Sequence, residues 1–120
     1  MNTSTESVLL ALDIGAKKHA FAWELADHRE TGSVDNTPAA LRTFLTHLIH
    51  RAGGLRVLME ATGVYYLDVA LVAADLGAQV SVLNPRATHN FAKAIQQRTK
   101  TDRLDAVMLL DFLKRTSIRR

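Results

Sequence analysis

The sequence of 120 residues has no cysteine, only two prolines, and aromatic residues at just 6% of positions. Without cysteine, the chain has neither a disulfide scaffold nor a thiolate metal site. It also has no run of about 18 apolar residues, the length needed to cross a bilayer as a helix. Residues 1–7 carry Glu6 but no lysine or arginine, which excludes a signal peptide. We expect these seven residues to form a disordered tail on a protein of the cytoplasm.

Apolar residues make up 48% of the chain, which excludes intrinsic disorder, and the length favours one domain over residues 8–120. The net charge of +3 is unevenly distributed. Residues 1–80 carry six basic and nine acidic side chains, whereas residues 81–120 carry nine basic and three acidic ones. A basic last third is typical of proteins with phosphate-rich partners. A solvated helix face explains the same charge equally well.

The apolar pattern predicts the element order βββ-α-β-α-β-α-α. Short apolar or alternating runs predict strands over Val8–Ile14, His19–Leu25, Thr31–Asp35, Leu55–Met59 and Gln79–Leu83. Helical spacing predicts a helix that Thr37 caps and Gly53-Gly54 ends, and further helices over Val64–Leu76, Arg86–Gln97 and Asp102–Arg115.

Three consecutive strands with short connections form an antiparallel meander, and the later strand–helix–strand units form parallel pairs. A meander followed by such units is the arrangement of the ribonuclease-H-like fold. The fold class is therefore α/β, with a five-stranded mixed sheet in which the first strand is central and lies beside the fourth.

Four acidic residues occupy positions that suggest a metal site. Asp13 and Glu60 lie at the carboxyl ends of the first and fourth strands, which meet at one sheet edge if these strands are parallel neighbours. Asp102 and Asp105 are three residues apart at a helix start and share one face. Clustered carboxylates repel one another unless a cation joins them. Oxygen ligands without cysteine favour Mg²⁺ or Mn²⁺.

Each of these acids also has an ordinary structural explanation. Asp13 could be a turn residue, and Glu60 and Asp102 could cap the helices that follow them. Asp105 could pair with a neighbouring arginine. The joint occurrence of two strand-end acids and an acid pair, in this fold order, favours the metal site over these separate explanations.

Basic residues near these acids are candidates for nucleic-acid contact. Arg98, Lys100 and Arg103 flank the acid pair and would contact phosphate groups, although local pairing with the two aspartates is the alternative. Lys17 and Lys18 follow the first strand and could reach nucleic acid, but exposed turn lysines are common.

Several segments resemble a known family: LDIGAKKHAFAWEL, LMEATGVYY, VSVLNP and RTKTDRLDAVMLLDFL. They are similar to the N-terminal domain of the DEDD insertion-sequence transposases, a family that includes the Piv-type DNA invertases. The resemblance extends over about Val8 to Arg115. Its specific part is the spacing of the E-A-T-G and K-T-D-x-x-D-A motifs.

The resemblance implies a RuvC-like catalytic domain whose metal-binding tetrad is Asp13, Glu60, Asp102 and Asp105, with Mg²⁺ or Mn²⁺ as cofactor. It implies a prokaryotic, nucleoid-associated protein that cuts and rejoins DNA, in some members with a structured guide RNA. Family members also carry a C-terminal domain with a nucleophilic serine, and the two domains form a composite site across protomers. No serine of this chain matches that domain, so we expect that the chain does not complete recombination unaided. Apolar residues of the last segments are candidates for the core or for an interface, namely Phe91, Phe112 and Leu109-Leu110, and we therefore expect a homo-oligomer.

Two other function classes compete with this interpretation. The first is a nucleic-acid-binding module that holds guide RNA or DNA without catalysis. The second is a fragment of a sugar-kinase or actin-like ATPase, whose first phosphate loop also begins D-x-G. Ala16-Lys17 stands where such a loop has a small hydroxyl residue, which counts against the ATPase.

Overall fold

The computed structural model describes residues 7–61, 63–84 and 106–117. These residues form a five-stranded sheet in the order β3-β2-β1-β4-β5. The strands are β1 Val8–Asp13, β2 Lys18–Leu25, β3 His28–Asp35, β4 Leu55–Glu60 and β5 Gln79–Leu83. The helices are α1 Pro38–Ile49, α2 Leu67–Asp75 and α3 Ala106–Ser117.

The central strand β1 pairs antiparallel with β2 and parallel with β4, while β5 adds a second parallel pair beyond β4. This arrangement confirms the predicted mixed sheet of the ribonuclease-H-like type, with the first strand beside the fourth. Because β1 and β4 run parallel, the chain must cross over between them, and α1 lies in that connection. The carboxyl ends of both strands therefore lie at the same edge of the sheet.

The hairpin between β2 and β3 is tighter than predicted. Leu25 pairs with His28, so only Ala26 and Asp27 form the turn, and β3 begins at His28 instead of Thr31. The polar stretch Asp27–Glu30 is typical of a turn, but on an edge strand with exposed side chains polarity does not prevent pairing. Ala26 adopts a φ of 54°, in the left-handed region that residues with a Cβ atom rarely occupy.

Helix α1 begins as predicted. Thr37 is its N-cap, and the Thr37 side chain accepts a hydrogen bond from the Ala40 amide at 3.2 Å. Pro38 occupies the first turn, where its missing N–H leaves no hydrogen bond unmade. The leucines of its apolar stripe, Leu41, Leu45 and Leu48, are buried against the sheet.

Helix α2 begins at Leu67, three residues later than the predicted start at Val64. Gly63 has a φ of 63° and residues 63–66 form turns, so the chain is not yet helical there. The error arose because Val64 continues the apolar spacing of α2 although its side chain is exposed. At the other end, Gly77 follows the helix with a φ of 88°, as expected for a glycine stop.

The two faces of the sheet are covered by different helices. On one face, α1 and α2 pack against a core that includes Leu10, Leu12, Trp23, Val57 and Met59. On the opposite face, α3 packs Leu109, Leu110 and Leu113 against Ala11, Ala22 and Leu58. We call these the α1/α2 face and the α3 face.

The predicted helix Arg86–Gln97 and the first turn of the predicted helix Asp102–Arg115 lie outside the described residues. Within the part of the chain that the structure describes, no helix has the length and apolar character to span a membrane.

Candidate metal-binding site

Asp13 and Glu60 are brought together by the pairing of β1 with β4. The parallel register aligns Leu12 with Met59, and the next residue on each strand is one of the two acids. Adjacent strands lie about 4.8 Å apart. The two carboxylates therefore extend from neighbouring backbone positions at one edge of the sheet, as the sequence predicted.

Both carboxylates belong to the α3 face. Ala11 and Leu58, each two residues earlier on the respective strand, are buried in the core against α3, and side chains two apart on a strand share a face. Asp13 and Glu60 are partly buried and both interact with neighbouring groups of the chain. Helix α3 begins at Ala106, which is buried in the same core.

The remaining acids and bases of the predicted site, Asp102, Asp105, Arg98, Lys100 and Arg103, lie outside the described residues. Among residues 7–61, 63–84 and 106–117, no group of three or more His, Cys, Asp or Glu side chains could hold a metal ion. The described part of the chain therefore supplies two adjacent carboxylates. Asp105 directly precedes Ala106 in the sequence.

The two carboxylates have the chemistry of a hard-cation site. They offer only oxygen donor atoms to a cation. A divalent cation shared between two like charges on adjacent strands reduces the repulsion between them. The donor set therefore fits Mg²⁺ or Mn²⁺ better than a softer metal.

Lys17 and Lys18 lie in and after the loop that follows Asp13, at the same end of the sheet. Both side chains are exposed. The ammonium group of Lys18 is 4.0 Å from the carboxylate of Asp35, and both side chains are mostly solvated, so this contact is weak. The two lysines place positive charge beside the carboxylate edge.

A groove of about 350 Å³ lies between the β2–β3 hairpin and the start of α3. It is lined by Ala20, Phe21, Thr31, Gly32, Ala106 and Val107. Ala20 is the cross-strand neighbour of Asp13, so one wall of the groove adjoins the end of β1. Its small side chains leave space on the sheet surface next to the site.

Ion pairs attach α3 to the sheet on this face. The Lys114 ammonium donates to both oxygens of the Glu24 carboxylate at 3.0 and 3.2 Å, and Arg29 donates to the same carboxylate at 2.9 Å. Partial burial disfavours the ionised carboxylate, but the hydrogen bonds from Lys114 and Arg29 outweigh it and lower the pKa of Glu24. These contacts help to fix the helix that Asp105 precedes in the sequence.

The structure shows a buried histidine beside the site that the sequence did not indicate as functional. His19 is fully buried, and its Nδ1 accepts a hydrogen bond from the Gly15 amide at 3.1 Å. Burial lowers the pKa of His19, while Asn36, Asp13 and Asp68 partly oppose that effect. Its alternation with Phe21 and Trp23 was the available signal, because it places His19 on the buried face of β2.

The sheet order and the paired carboxylates define a class of protein, the ribonuclease-H-like domain. RuvC from T. thermophilus, solved in complex with a Holliday junction substrate, has the same fold with a TM-score of 0.52 at 14% identity. The alignment covers 92% of this chain and 96% of that one.

Sequence comparison assigns the family. Residues 10–120 match the DEDD transposase family of the IS110 type, so the chain belongs to this transposase family. It is also 42% identical over 58 residues to the pilin gene-inverting proteins of Moraxella lacunata and Moraxella bovis. That alignment covers 48% of this chain and 18% of the length of either relative.

Proposed function

We propose that this chain is the metal-dependent catalytic domain with which a DNA transposase cleaves and transfers strands. One observation carries the proposal: the parallel register of β1 and β4 pairs Leu12 with Met59, and Asp13 and Glu60 are the next residues on the two strands. Membership of the transposase family supplies the reaction class. The relatives that invert a pilin gene support DNA as the partner.

Asp13 and Glu60 would hold a divalent cation, Mg²⁺ or Mn²⁺, together with Asp102 and Asp105. When bound, the cation would act as a Lewis acid at a phosphodiester group. The protein's part is to hold the carboxylates in place and to keep one side of the site open to the nucleic acid. The groove beside Asp13 and the position of Ala106 in its wall support this arrangement.

The nucleic acid would be held by basic residues around the carboxylates. Lys17 and Lys18 lie at the carboxylate edge, and Arg98, Lys100 and Arg103 belong to the segment with nine basic and three acidic residues. Contacts of this kind position a phosphate backbone without reading its sequence. The partners proposed here are DNA, a structured guide RNA, and further copies of the chain, acting at the nucleoid of a prokaryotic cell.

Mn²⁺ titration of the 120-residue chain, followed by calorimetry, tests the metal site. Asp13→Asn and Glu60→Gln keep the size of each side chain but remove its charge, and each should weaken Mn²⁺ binding at least tenfold. Asp27→Asn, in the exposed β2–β3 turn, is the matched control and should bind as the wild type does. Equal binding by all four proteins would contradict the proposed site.

The basic charge of residues 81–120, a net of +6, favours a second candidate function. In it the chain binds guide RNA or DNA without catalysing strand cleavage. Affinity for a DNA duplex and for a hairpin RNA, measured across a salt series, separates the two candidates. Binding that survives loss of all four acids, with no metal response and no nicking, would favour this module over the catalytic domain.

A further inference from the structure

We propose that His19 and Asn36 are positioning residues that fix Asp13 by clamping the loop after β1. This inference rests on the proposed metal site, since it assigns a role to the residues that hold one of its ligands. We call residues 14–17, between the two strands, the β1–β2 loop.

Three consecutive residues of the β1–β2 loop are held by hydrogen bonds to the two proposed positioning residues. The Gly15 amide donates to Nδ1 of His19 at 3.1 Å. The Asn36 side-chain amide donates to the Ala16 carbonyl at 3.1 Å, and the Asn36 backbone amide donates to the Lys17 carbonyl at 2.8 Å. The loop is thus tied from β2 on one side and from the β3–α1 junction on the other.

Gly15 shows how closely this loop is folded. A Cβ atom at this position would lie 2.4 Å from the backbone carbonyl oxygen of Lys18, closer than packed atoms allow. Because the obstacle is backbone, no rotation of a side chain relieves it. Ile14, which precedes Gly15, is buried in the core of the α1/α2 face. The residues that follow Asp13 are therefore folded into a compact turn.

His19 places a polar ring at a fully buried position. The ring is fully buried on the α1/α2 face, and among the described residues neither its Nε2 nor Oδ1 of Asn36 has a hydrogen-bond partner of good geometry. Burial removes the polar atoms of the ring from water, a cost that an apolar side chain in the same place would not incur. What the ring provides in return is the acceptor for the Gly15 amide.

The ring must be neutral to provide this acceptor. Nδ1 accepts the Gly15 hydrogen bond, so the single proton of the neutral ring lies on Nε2. Burial lowers the pKa of His19, and the uncharged form is therefore favoured. The clamp is therefore present at neutral pH.

A held loop matters for Asp13 because metal ligands must keep their position within about 0.5 Å. On its amino side Asp13 is fixed by the pairing of β1 with β2 and β4. β1 ends at Asp13, and on the carboxyl side the hydrogen bonds of the β1–β2 loop hold the backbone next to Asp13 in place. Groups that orient a metal ligand in this way typically contribute 10- to 100-fold to metal affinity.

Two substitutions of His19 separate the hydrogen bond from the packing. In His19→Asn the amide oxygen is as many bonds from Cβ as Nδ1 is, so it can still accept from the Gly15 amide. His19→Leu fills a similar volume without an acceptor. Two properties are measured on the 120-residue chain: hydrogen exchange of the Gly15 amide by NMR, and Mn²⁺ affinity by calorimetry.

We expect His19→Leu to lose protection of the Gly15 amide and to bind Mn²⁺ 10- to 100-fold more weakly. His19→Asn should keep both properties within about threefold of the wild type. Wild-type Mn²⁺ affinity in His19→Leu, with Gly15 unprotected, would overturn the inference. So would equal weakening in both variants, which would indicate packing alone.

Asn36→Ala tests the other arm if His19→Leu does not fold. It removes the bond to the Ala16 carbonyl but keeps the backbone amide, so a loss of about three- to tenfold in Mn²⁺ affinity is expected. Unchanged affinity in Asn36→Ala would overturn the inference. Failure of the proposed function gives a different result, because the wild type and Asp13→Asn would then respond to Mn²⁺ alike whatever happens at Gly15.

Discussion

The two faces of the sheet differ in what they bury. The α1/α2 face carries large side chains from β1, β2 and β4, and two helices cover them with leucine and valine. The α3 face has alanine at the centre of β1 and β2, namely Ala11 and Ala22, and a single described helix packs on it. Asp13 and Glu60 extend this second face toward the carboxyl edge of the sheet.

The difference suggests a division of labour within one sheet. Among the described residues, the α1/α2 face buries the larger set of apolar side chains, and apolar burial is what stabilises a fold. Small residues on the α3 face leave space beside the carboxylates, where a groove lies. His19 connects the two, since it is buried on the first face and holds the loop that follows Asp13 on the second.

The largest effect is expected from truncation in the core of the α1/α2 face. Leu45 is fully buried between α1 and the sheet, so Leu45→Ala should lower the free energy of unfolding by about 3 kcal/mol. Leu71→Ala is the control, because the Leu71 side chain is 67% exposed and should change stability by less than about 0.5 kcal/mol. Urea denaturation measures both. If Leu45→Ala and Leu71→Ala lowered the free energy of unfolding equally, burial on the α1/α2 face would not be what stabilises the fold.

A smaller effect is expected where α3 is attached to the sheet. Glu24→Gln removes the charge that Lys114 and Arg29 share, and should cost about 1 kcal/mol of stability. Because the pKa of Glu24 is lowered on folding, this contribution is present above the ordinary value of 4.5 and is lost as the pH falls below it.

Asp35→Asn is the control for Glu24→Gln, since the Lys18–Asp35 pair is mostly solvated and 4.0 Å apart. Denaturation at pH 7 and at pH 4 should show a difference for Glu24→Gln that narrows at the lower pH. If Asp35→Asn were as destabilising, the attachment of α3 would be no stronger than an ordinary surface pair.

Much of this fold could be predicted from the sequence, because its strong signals are local. The seven-residue run from Val8, the Thr37-Pro38 helix start and the Gly77 stop each follow from a few adjacent residues. The position of Asp13 and Glu60 at the ends of neighbouring parallel strands followed from the element order, since right-handed crossovers leave few topologies. The roles of Asp102 and Asp105 stay predictions.

The parts that were missed depend on conformations and contacts that the sequence does not signal. Ala26 takes a positive φ without the glycine or asparagine that usually marks such a turn, so β3 was predicted too short. The role of Asn36 depends on a hydrogen bond to Ala16, 20 residues away in the chain. His19 lies within the segment LDIGAKKHAFAWEL, but no catalytic or metal-ligand spacing in the sequence marks its side chain, whose function is indicated by the buried contact with Gly15.

The buried ring of His19 should make the stability of the fold depend on pH. The pKa of His19 is lowered on folding, chiefly by burial, so the unfolded chain binds more protons below the ordinary value of 6.5. The contribution of His19 to the free energy of unfolding should therefore be highest above pH 6.5 and should decline as the pH falls below that value. Asp13 and Asp68 favour the protonated ring and reduce the decline without reversing it.

Urea denaturation between pH 8 and pH 5 measures the contribution of His19. His19→Asn should flatten the decline, because it removes the group whose pKa folding lowers. A wild-type slope in His19→Asn would mean that the ring is not held neutral by the fold, and it would weaken the assignment of Nδ1 as the acceptor.

The smallest effect concerns the β2–β3 turn, which lies beyond the cores of both faces. Ala26 has a φ of 54°, so its Cβ is held in a strained conformation that glycine adopts freely. Ala26→Gly should raise the free energy of unfolding by about 0.5 kcal/mol, since relief of strain exceeds the added entropy of the unfolded chain. Asp27→Gly, at the neighbouring turn residue with ordinary φ, should lower it instead. If Ala26→Gly lowered the free energy of unfolding instead, the positive φ of Ala26 would not be a source of strain in this turn.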